Sequence, residues 1–227
     1  MKFLSVCSGI EAASVAWLPL GFECVGLSEI EPVPCRVLEH HYPGVPNFGD
    51  ITKYKSWPDL DFDILIGGTP CQDSSIANPC GDGLAGVRGG LASAFAAIVE
   101  RFKPEWIVWE NVPNNLTSRI ASGFIAFVER LAEAGYHIGW DVLEAVCFGS
   151  PSPRPRLFVV GNRDSLRCVE SVLFEPEGFS RDCPSLPPAG PVLTARGAMA
   201  YDDRTPCVLD EHGPRIATPL EWERALG

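Results

Sequence analysis

The sequence predicts an α/β fold: a mostly parallel sheet with helices on both faces, plus a small irregular C-terminal region. Three observations predict it. Strand-like and helix-like segments alternate through the first two-thirds of the chain. The strand candidates end in small, polar or reactive residues. The alternation fades after Asn162. A repeated strand, turn and helix is the pattern of a parallel sheet whose crossovers cover both faces. The 227 residues suffice for one large domain with a real core, and the expected division is 1–162 and 163–227.

The elements follow in order. Phe3–Val6 is a short apolar strand ending in Cys7-Ser8-Gly9, and Ile10–Leu18 reads as a helix stopped by Pro19. Phe22–Leu27 is a second strand, closed by Ser28-Glu29. Pro32 suits the first turn of a helix running to about His41. Asp61–Ile66 is a third strand before Gly67-Gly68-Thr69-Pro70. Leu91–Phe102 is a helix, and Trp106–Trp109 a buried strand ending in Glu110. Phe124–Ala134 puts Phe124, Phe127, Val128 and Leu131 on one helical face. Tyr136–Val146 and Arg156–Gly161 close the sheet. Residues 163–214 read as loop-rich, with one apolar patch at Val169, Val172, Leu173 and Phe174. Thr218-Pro219 opens a helix in the tail.

Composition narrows the function. No apolar run approaches the ~20 residues of a membrane span. The first residues lack a signal-peptide core, and nine cysteines is an odd number. They read as reduced thiols in a cytoplasmic protein. No CxxC or HxxxH occurs, so no metal is expected. The net charge of −11 argues against a general polyanion binder. Residues 154–227 carry 9 Arg against 11 acids, so nucleic acid would be met through a few placed guanidinium groups.

Ligands of such sheets sit outside the carboxyl ends of the strands. Those ends carry Cys7-Ser8-Gly9, Glu29, Pro70-Cys71 and Glu110-Asn111. The small-residue turn at Ser8-Gly9 serves packing or a ligand. Glu29, 20 residues past Gly9, is a solvated acid or an acceptor for ribose hydroxyls. Cys71, behind a Gly-Gly-Thr-Pro turn, is an ordinary cysteine or a nucleophile. Glu110 at an apolar strand end is a helix cap or an acid desolvated enough to donate a proton. Arg154 and Arg156, two apart, are surface charge or a pair for a carboxylate, phosphate or base carbonyl.

Taken together the motifs resemble the C5-cytosine DNA methyltransferases, in the wording of the phage and prophage branch. They run in the family's order: Ser8-Gly9, Glu29, Gly49-Asp50-Ile51-Thr52, Gly68-Thr69-Pro70-Cys71-Gln72, Gly83-Leu84, Arg88-Gly89-Gly90-Leu91, Glu110-Asn111-Val112, Arg154 to Gly161, Leu193-Thr194-Ala195-Arg196 and Thr218-Pro219-Leu220-Glu221. The resemblance implies a Rossmann-like S-adenosylmethionine-dependent methyltransferase, with S-adenosylhomocysteine as product. It implies double-stranded DNA as partner, with the target cytosine flipped out of the duplex. Ser8, Gly9, Ile10 and Glu11 would line the methionine end and Glu29 the ribose. Ile30, Asp50 and Ile51 would meet the adenine, and Pro70 and Leu91 would flank the cofactor. Cys71 would add to the base, with Glu110 on N3 and Arg154 and Arg156 on the carbonyl.

The sequence departs from the family's pattern in several places. Cys7 stands where the family has an aromatic residue. Asp73-Ser74-Ser75 follows Gln72. The stretch from about 163 to 190 is short for target recognition. The chain stops at Gly227, inside a family motif. A second chain completing the cofactor pocket, a partner-binding relative without activity, and a tRNA cytosine methyltransferase are the alternatives.

Overall fold

The computed structural model describes residues 1–70, 89–116, 121–148, 154–173, 207–210 and 213–216. It divides into two compact units. The first comprises Met1–Asp141 with Leu157–Pro176, the second Val142–Arg156 with Glu177–Gly227.

The first unit is built on a six-stranded sheet of order β2-β1-β3-β4-β6-β5. Its strands are β1 (Lys2–Val6), β2 (Glu23–Ser28), β3 (Ile64–Gly68), β4 (Trp106–Asn111), β5 (His137–Glu144) and β6 (Pro155–Asn162). Pairings β1·β2, β1·β3 and β3·β4 are parallel, and β4·β6 is antiparallel. Four residues of β1 are buried in a row, as a central parallel strand covered on both faces requires.

The helices are α1 (Ala12–Trp17), α2 (Pro32–His41), α3 (Gly89–Phe102), α4 (Ala121–Glu133) and α5 (Leu166–Leu173). Side-chain alternation along the strands divides the core between them. Phe3 and Ile64 pack with Leu38 of α2 and with Ala13 and Trp17 of α1. Leu4, Val6, Leu65, Ile107 and Trp109 pack instead with Phe95 and Ile98 of α3 and Phe124, Phe127 and Leu131 of α4. The predicted layers are therefore present. Val169 and Leu173 of α5 close on Val160, so the apolar patch assigned to a loop is an amphipathic helix. Its eight residues are too few to announce themselves by periodicity.

In the second unit, the amide of Ala145 donates to Arg154 O at 3.3 Å and Arg154 N–H to Glu144 Oε1 at 2.5 Å. A hairpin of β7 (Cys207–Asp210) and β8 (Gly213–Ile216) also belongs here; the sequence reading had not anticipated it. The helix expected from Thr218 lies outside the described residues. Cys147 is disulfide-bonded, which corrects the expectation of reduced thiols for that residue. No helix among the described residues is long and apolar enough to cross a membrane.

Gly67 shows how tightly the central strands approach. A Cβ placed there would lie 2.6 Å from the carbonyl oxygen of Val6 and 2.5 Å from its Cγ2. Backbone cannot step aside as a side chain can, so Gly67→Ala is expected to cost about 2–3 kcal/mol in urea unfolding. Gly44→Ala, with nothing within 4 Å, is expected to stay within about 0.5 kcal/mol of the parent.

Candidate active site at the carboxyl ends of the strands

The turn after β1 is built from left-handed residues. Cys7 has φ 51°, Gly9 φ 56° and Glu11 φ 72°. Only glycine enters this region freely, so two of the three need external support. Glu11 has it. Its carboxylate caps α1, accepting from Ser14 N–H at 3.1 Å and Ser14 Oγ at 3.0 Å. Ser5 Oγ donates to the other oxygen at 2.7 Å. The side chain is 1% exposed. Glu11, expected to line the methionine end, thus turns its carboxylate beneath the turn and leaves the rim to the backbone above it.

Ser8 ties this turn to β2: its N–H donates to Ser28 O at 3.2 Å and its Oγ accepts from Ser28 N–H at 3.2 Å. The Gly9 N–H donates to Glu29 Oε2 at 2.8 Å. The N–H groups of Ile30 and Glu31 both donate to Glu29 Oε1, each at 2.8 Å. The structure therefore brings Ser8, Gly9 and Glu29 together at one rim.

Asp50 caps the 3-10 turn Ile51–Ser56, accepting through Oδ1 from Thr52 N–H at 2.9 Å and Thr52 Oγ1 at 2.7 Å. Those bonds hold its carboxyl below the usual range, so it is an anion at neutral pH. Ile51 belongs to the core at 4% exposure, and only its backbone can face a ligand. Ile10 and Ile30 are exposed at 66% and 64%. Burial, followed by the charges of Glu29 and Asp50, pushes the Cys7 thiol up to about 12. Cys7 is a protonated, inert sulfur.

This rim fits an adenosyl ligand. Glu29 Oε2 takes one hydrogen bond and keeps an acceptor position. Asp50 Oδ2 accepts nothing from the described residues. A Cβ at Gly9 would meet nothing within 4 Å, so the space above the turn is open. Ile30 offers an apolar surface to a flat base.

The second half of the rim joins β3 to β4. Gly68 pairs with Glu110, and a Cβ on Gly68 would lie 2.8 Å from Glu110 Oε2. The missing side chain is what lets the carboxylate lie against β3. Trp109 Nε1 donates to Thr69 Oγ1 at 3.1 Å, and Asn111 Nδ2 to Thr69 O at 3.2 Å. Thr69 is held from two sides, so the path into exposed Pro70 is fixed. Cys71 lies outside the described residues. Leu91, in the first turn of α3, packs against the larger core. In the second unit Arg154 is exposed and Arg156 half-buried, and Arg156 Nη1 donates to Pro155 O at 2.8 Å. Among the described residues no group of His, Cys, Asp or Glu could hold a metal.

Sequence reasoning missed Asn47, Thr69 and Asn111, whose side chains brace the rim without facing it. An Asn three residues before the Asp50 cap was the available signal for the first.

Set beside known proteins, residues 1–185 match the C-5 cytosine-specific DNA methylase family model. The chain belongs to that family. It is 37% identical over 188 residues to the type II methyltransferase M.NgoBV of Neisseria gonorrhoeae, covering 77% of this chain and 44% of that protein. It is 35% identical over 232 residues to the DNA N-6-adenine-methyltransferase of Escherichia phage P1, covering 78% and 30%. Among solved structures it resembles a DNA modification methyltransferase encoded within an E. coli prophage, with TM-score 0.59, 22% identity, and 74% and 48% coverage. It also resembles the S. pombe Dnmt2 methyltransferase, with TM-score 0.57, 18% identity, and 73% and 50% coverage. The chain spans between 30% and 51% of the length of the curated relatives it matches.

Burial pushes the Glu11 carboxyl up, against hydrogen bonds from Ser5 and Ser14 that pull it down. Its folded value thus lies above its unfolded one. The stability it contributes is complete below the unfolded value and is lost as pH rises through the folded value. Glu11→Gln keeps an oxygen for Ser14 and a donor for Ser5 but cannot ionise. Relative to the parent, this variant is expected to gain stability as pH rises above the ordinary carboxyl value of 4.5, read from urea midpoints. A pH-independent difference would show that the carboxyl does not feel its burial.

Proposed function

We propose that the protein is a DNA (cytosine-5-)-methyltransferase that uses S-adenosylmethionine and acts on a cytosine flipped out of duplex DNA. The observation that carries this reading is the seat of Glu110 against Gly68, three residues before Cys71 on a segment pinned at Thr69. Glu110 stands on β4, and the chain leaves the neighbouring β3 in the direction of Cys71. Residues 1–162 form the cofactor-binding and catalytic part, and 163–227 a short target-recognition region with the start of the C-terminal return segment. The setting is the cytoplasm of a bacterium or an infected host.

The cofactor is held by the backbone of Ser8, Gly9, Ile10 and Glu11, by Glu29 at the ribose, and by Ile30, Asp50 and the Ile51 backbone at the adenine. Pro70 and Leu91 flank it. When bound, it supplies an electrophilic methyl group for C5. Cytosine C5 is too weak a nucleophile to take that group unaided. The Cys71 thiolate forms a bond to C6, and the electron pair of the C5–C6 double bond moves to C5. Protonated Glu110 donates to N3 and supports the charge shifted onto the ring. Arg154, with Arg156, holds the base carbonyl. Loss of the C5 proton restores the double bond as the Cys71–C6 bond breaks.

The phage P1 relative is named for adenine N6 methylation. An exocyclic amine attacks a methyl donor directly and has no need of a thiolate adduct. Here the family match and the presence of Cys71 with Glu110 support C5 chemistry.

Tritium transfer from labelled S-adenosylmethionine is expected into DNA rather than tRNA, with the label recovered as 5-methylcytosine. Cys71→Ala is expected to abolish it while S-adenosylhomocysteine affinity stays within about threefold by calorimetry. Turnover by the mutant, label in N6-methyladenine, or label in tRNA alone would overturn the reading. Gly68→Ala intrudes only on the end of the Glu110 side chain, so its urea midpoint is expected to move little. Its turnover is expected to fall about 10–100-fold, because the carboxylate must leave its seat.

A further inference from the structure

Glu29 directly follows β2, and β2 is the edge strand of the sheet. An edge strand has no neighbour to fix the direction in which it ends. The chain supplies a partial one. The segment after α2 returns alongside Leu27, whose N–H donates to Pro46 O at 2.9 Å and whose carbonyl accepts from Phe48 N–H at 2.7 Å. This backbone pairing is a single bridge, Leu27 with Asn47. It does not reach Glu29.

The Asn47 side chain continues it. Oδ1 accepts from Glu29 N–H at 3.0 Å, and Nδ2 donates to Glu29 O at 3.1 Å. One amide thus satisfies both backbone groups of Glu29, as a neighbouring strand would. The same Oδ1 accepts from Gly49 N–H at 3.0 Å. Gly49 has φ 69° and precedes Asp50, while Ser28 Oγ donates to Gly49 O at 2.6 Å. Nδ2 also reaches Cys35 Sγ at 3.5 Å, and the Cys35 thiol lies 3.3 Å from Glu29 O. Beyond the amide is a cavity of about 290 Å³ lined by Leu27, Cys35, Leu38, Tyr42, Val45 and Asn47 among others.

We propose that Asn47 is a positioning residue of the cofactor pocket: one side-chain amide clasps the backbone of Glu29 and the amide of Gly49, fixing together the two carboxylates that face ribose and adenine. The proposal rests on the reading of this rim as an S-adenosylmethionine pocket. Asn47 does not touch the ligand. It aims Glu29 and Asp50, and its contribution is spent on the adenosine half of the cofactor alone. An aspartate could still accept from Glu29 N–H and Gly49 N–H, but it would set a carboxylate against Glu29 O and lose that donor. Asn47→Asp should therefore not rescue.

The test is a double-mutant cycle on the full chain, read as S-adenosylhomocysteine affinity by calorimetry. Asn47→Ala and Asn47→Asp are each expected to weaken binding at least about tenfold. In a Glu29→Ala background the further loss on Asn47→Ala is expected to shrink below about twofold, because the group being aimed is gone. A residue that merely supported the fold would weaken binding equally in both backgrounds. Should transfer activity be present, Asn47→Ala raises the KM for S-adenosylmethionine and leaves kcat and the KM for DNA near the parent values. Parent-like affinity of Asn47→Ala, or an additive cycle, would overturn the inference alone. Failure of the unmutated chain to bind S-adenosylhomocysteine would overturn the pocket reading, and this inference with it.

Discussion

The hydrogen bond from Gly9 N–H to the Glu29 carboxylate joins two strand ends that are 20 residues apart in sequence, and the rim is organised around it. Parallel strands put their carboxyl ends on one edge, where acids and free backbone groups accumulate. This chain pairs the two with each other. Glu29 takes three backbone N–H groups, Glu11 takes Ser5 and Ser14, and Asp50 takes Thr52. The described ion pairs, Lys2–Asp61, Arg101–Asp59 and Arg130–Glu100, involve none of these acids. Of the three acids, Asp50 is held below its ordinary value by its bonds from Thr52, while burial pushes Glu11 up. An acidic rim suits a ligand that carries a sulfonium and an ammonium. It is a poor surface for phosphate.

The left-handed path of the first turn is the local cost of that arrangement. A non-glycine residue in this region is strained by about 1 kcal/mol or more. Glu11 offsets this through three hydrogen bonds in a dry setting, where each is strong. Cys7 has no such set among the described bonds. Its thiol is kept protonated by burial and by two neighbouring carboxylates. Cys24 behaves alike, pushed up to about 11 by burial.

Much of this was legible in the sequence, for physical reasons. Apolar runs such as Trp106–Trp109 announce buried strands, and Pro32 announces the start of α2. Glu29 was identifiable because a strand end fixes where its side chain must emerge. What could not be read was orientation. Glu11 and Ile51 stand in motifs that point at a ligand, yet both side chains turn inward. That choice depends on Ser5 and Ser14 in one case and on the core beneath the 3-10 turn in the other. Asn47 was invisible for a related reason. Its role comes from being the residue that faces an edge strand where backbone pairing runs out.

Gly67 and Gly68 show how closely fold and chemistry are interleaved here. The dipeptide reads as a single loose turn, but its two halves answer to different constraints. Gly67 faces the Val6 backbone, so a side chain there would force β1 and β3 apart along their whole pairing. Gly68 faces only the end of Glu110, so a side chain there would leave the sheet intact and move one carboxylate. Thr69, the next residue, is held by Trp109 and Asn111, which flank Glu110 on β4. Three consecutive residues therefore carry the demand from strand spacing, through acid placement, to the direction of the chain entering Cys71. Because Glu110 and Thr69 are both referenced to β4, a shift of that strand would carry the two together and preserve their relation.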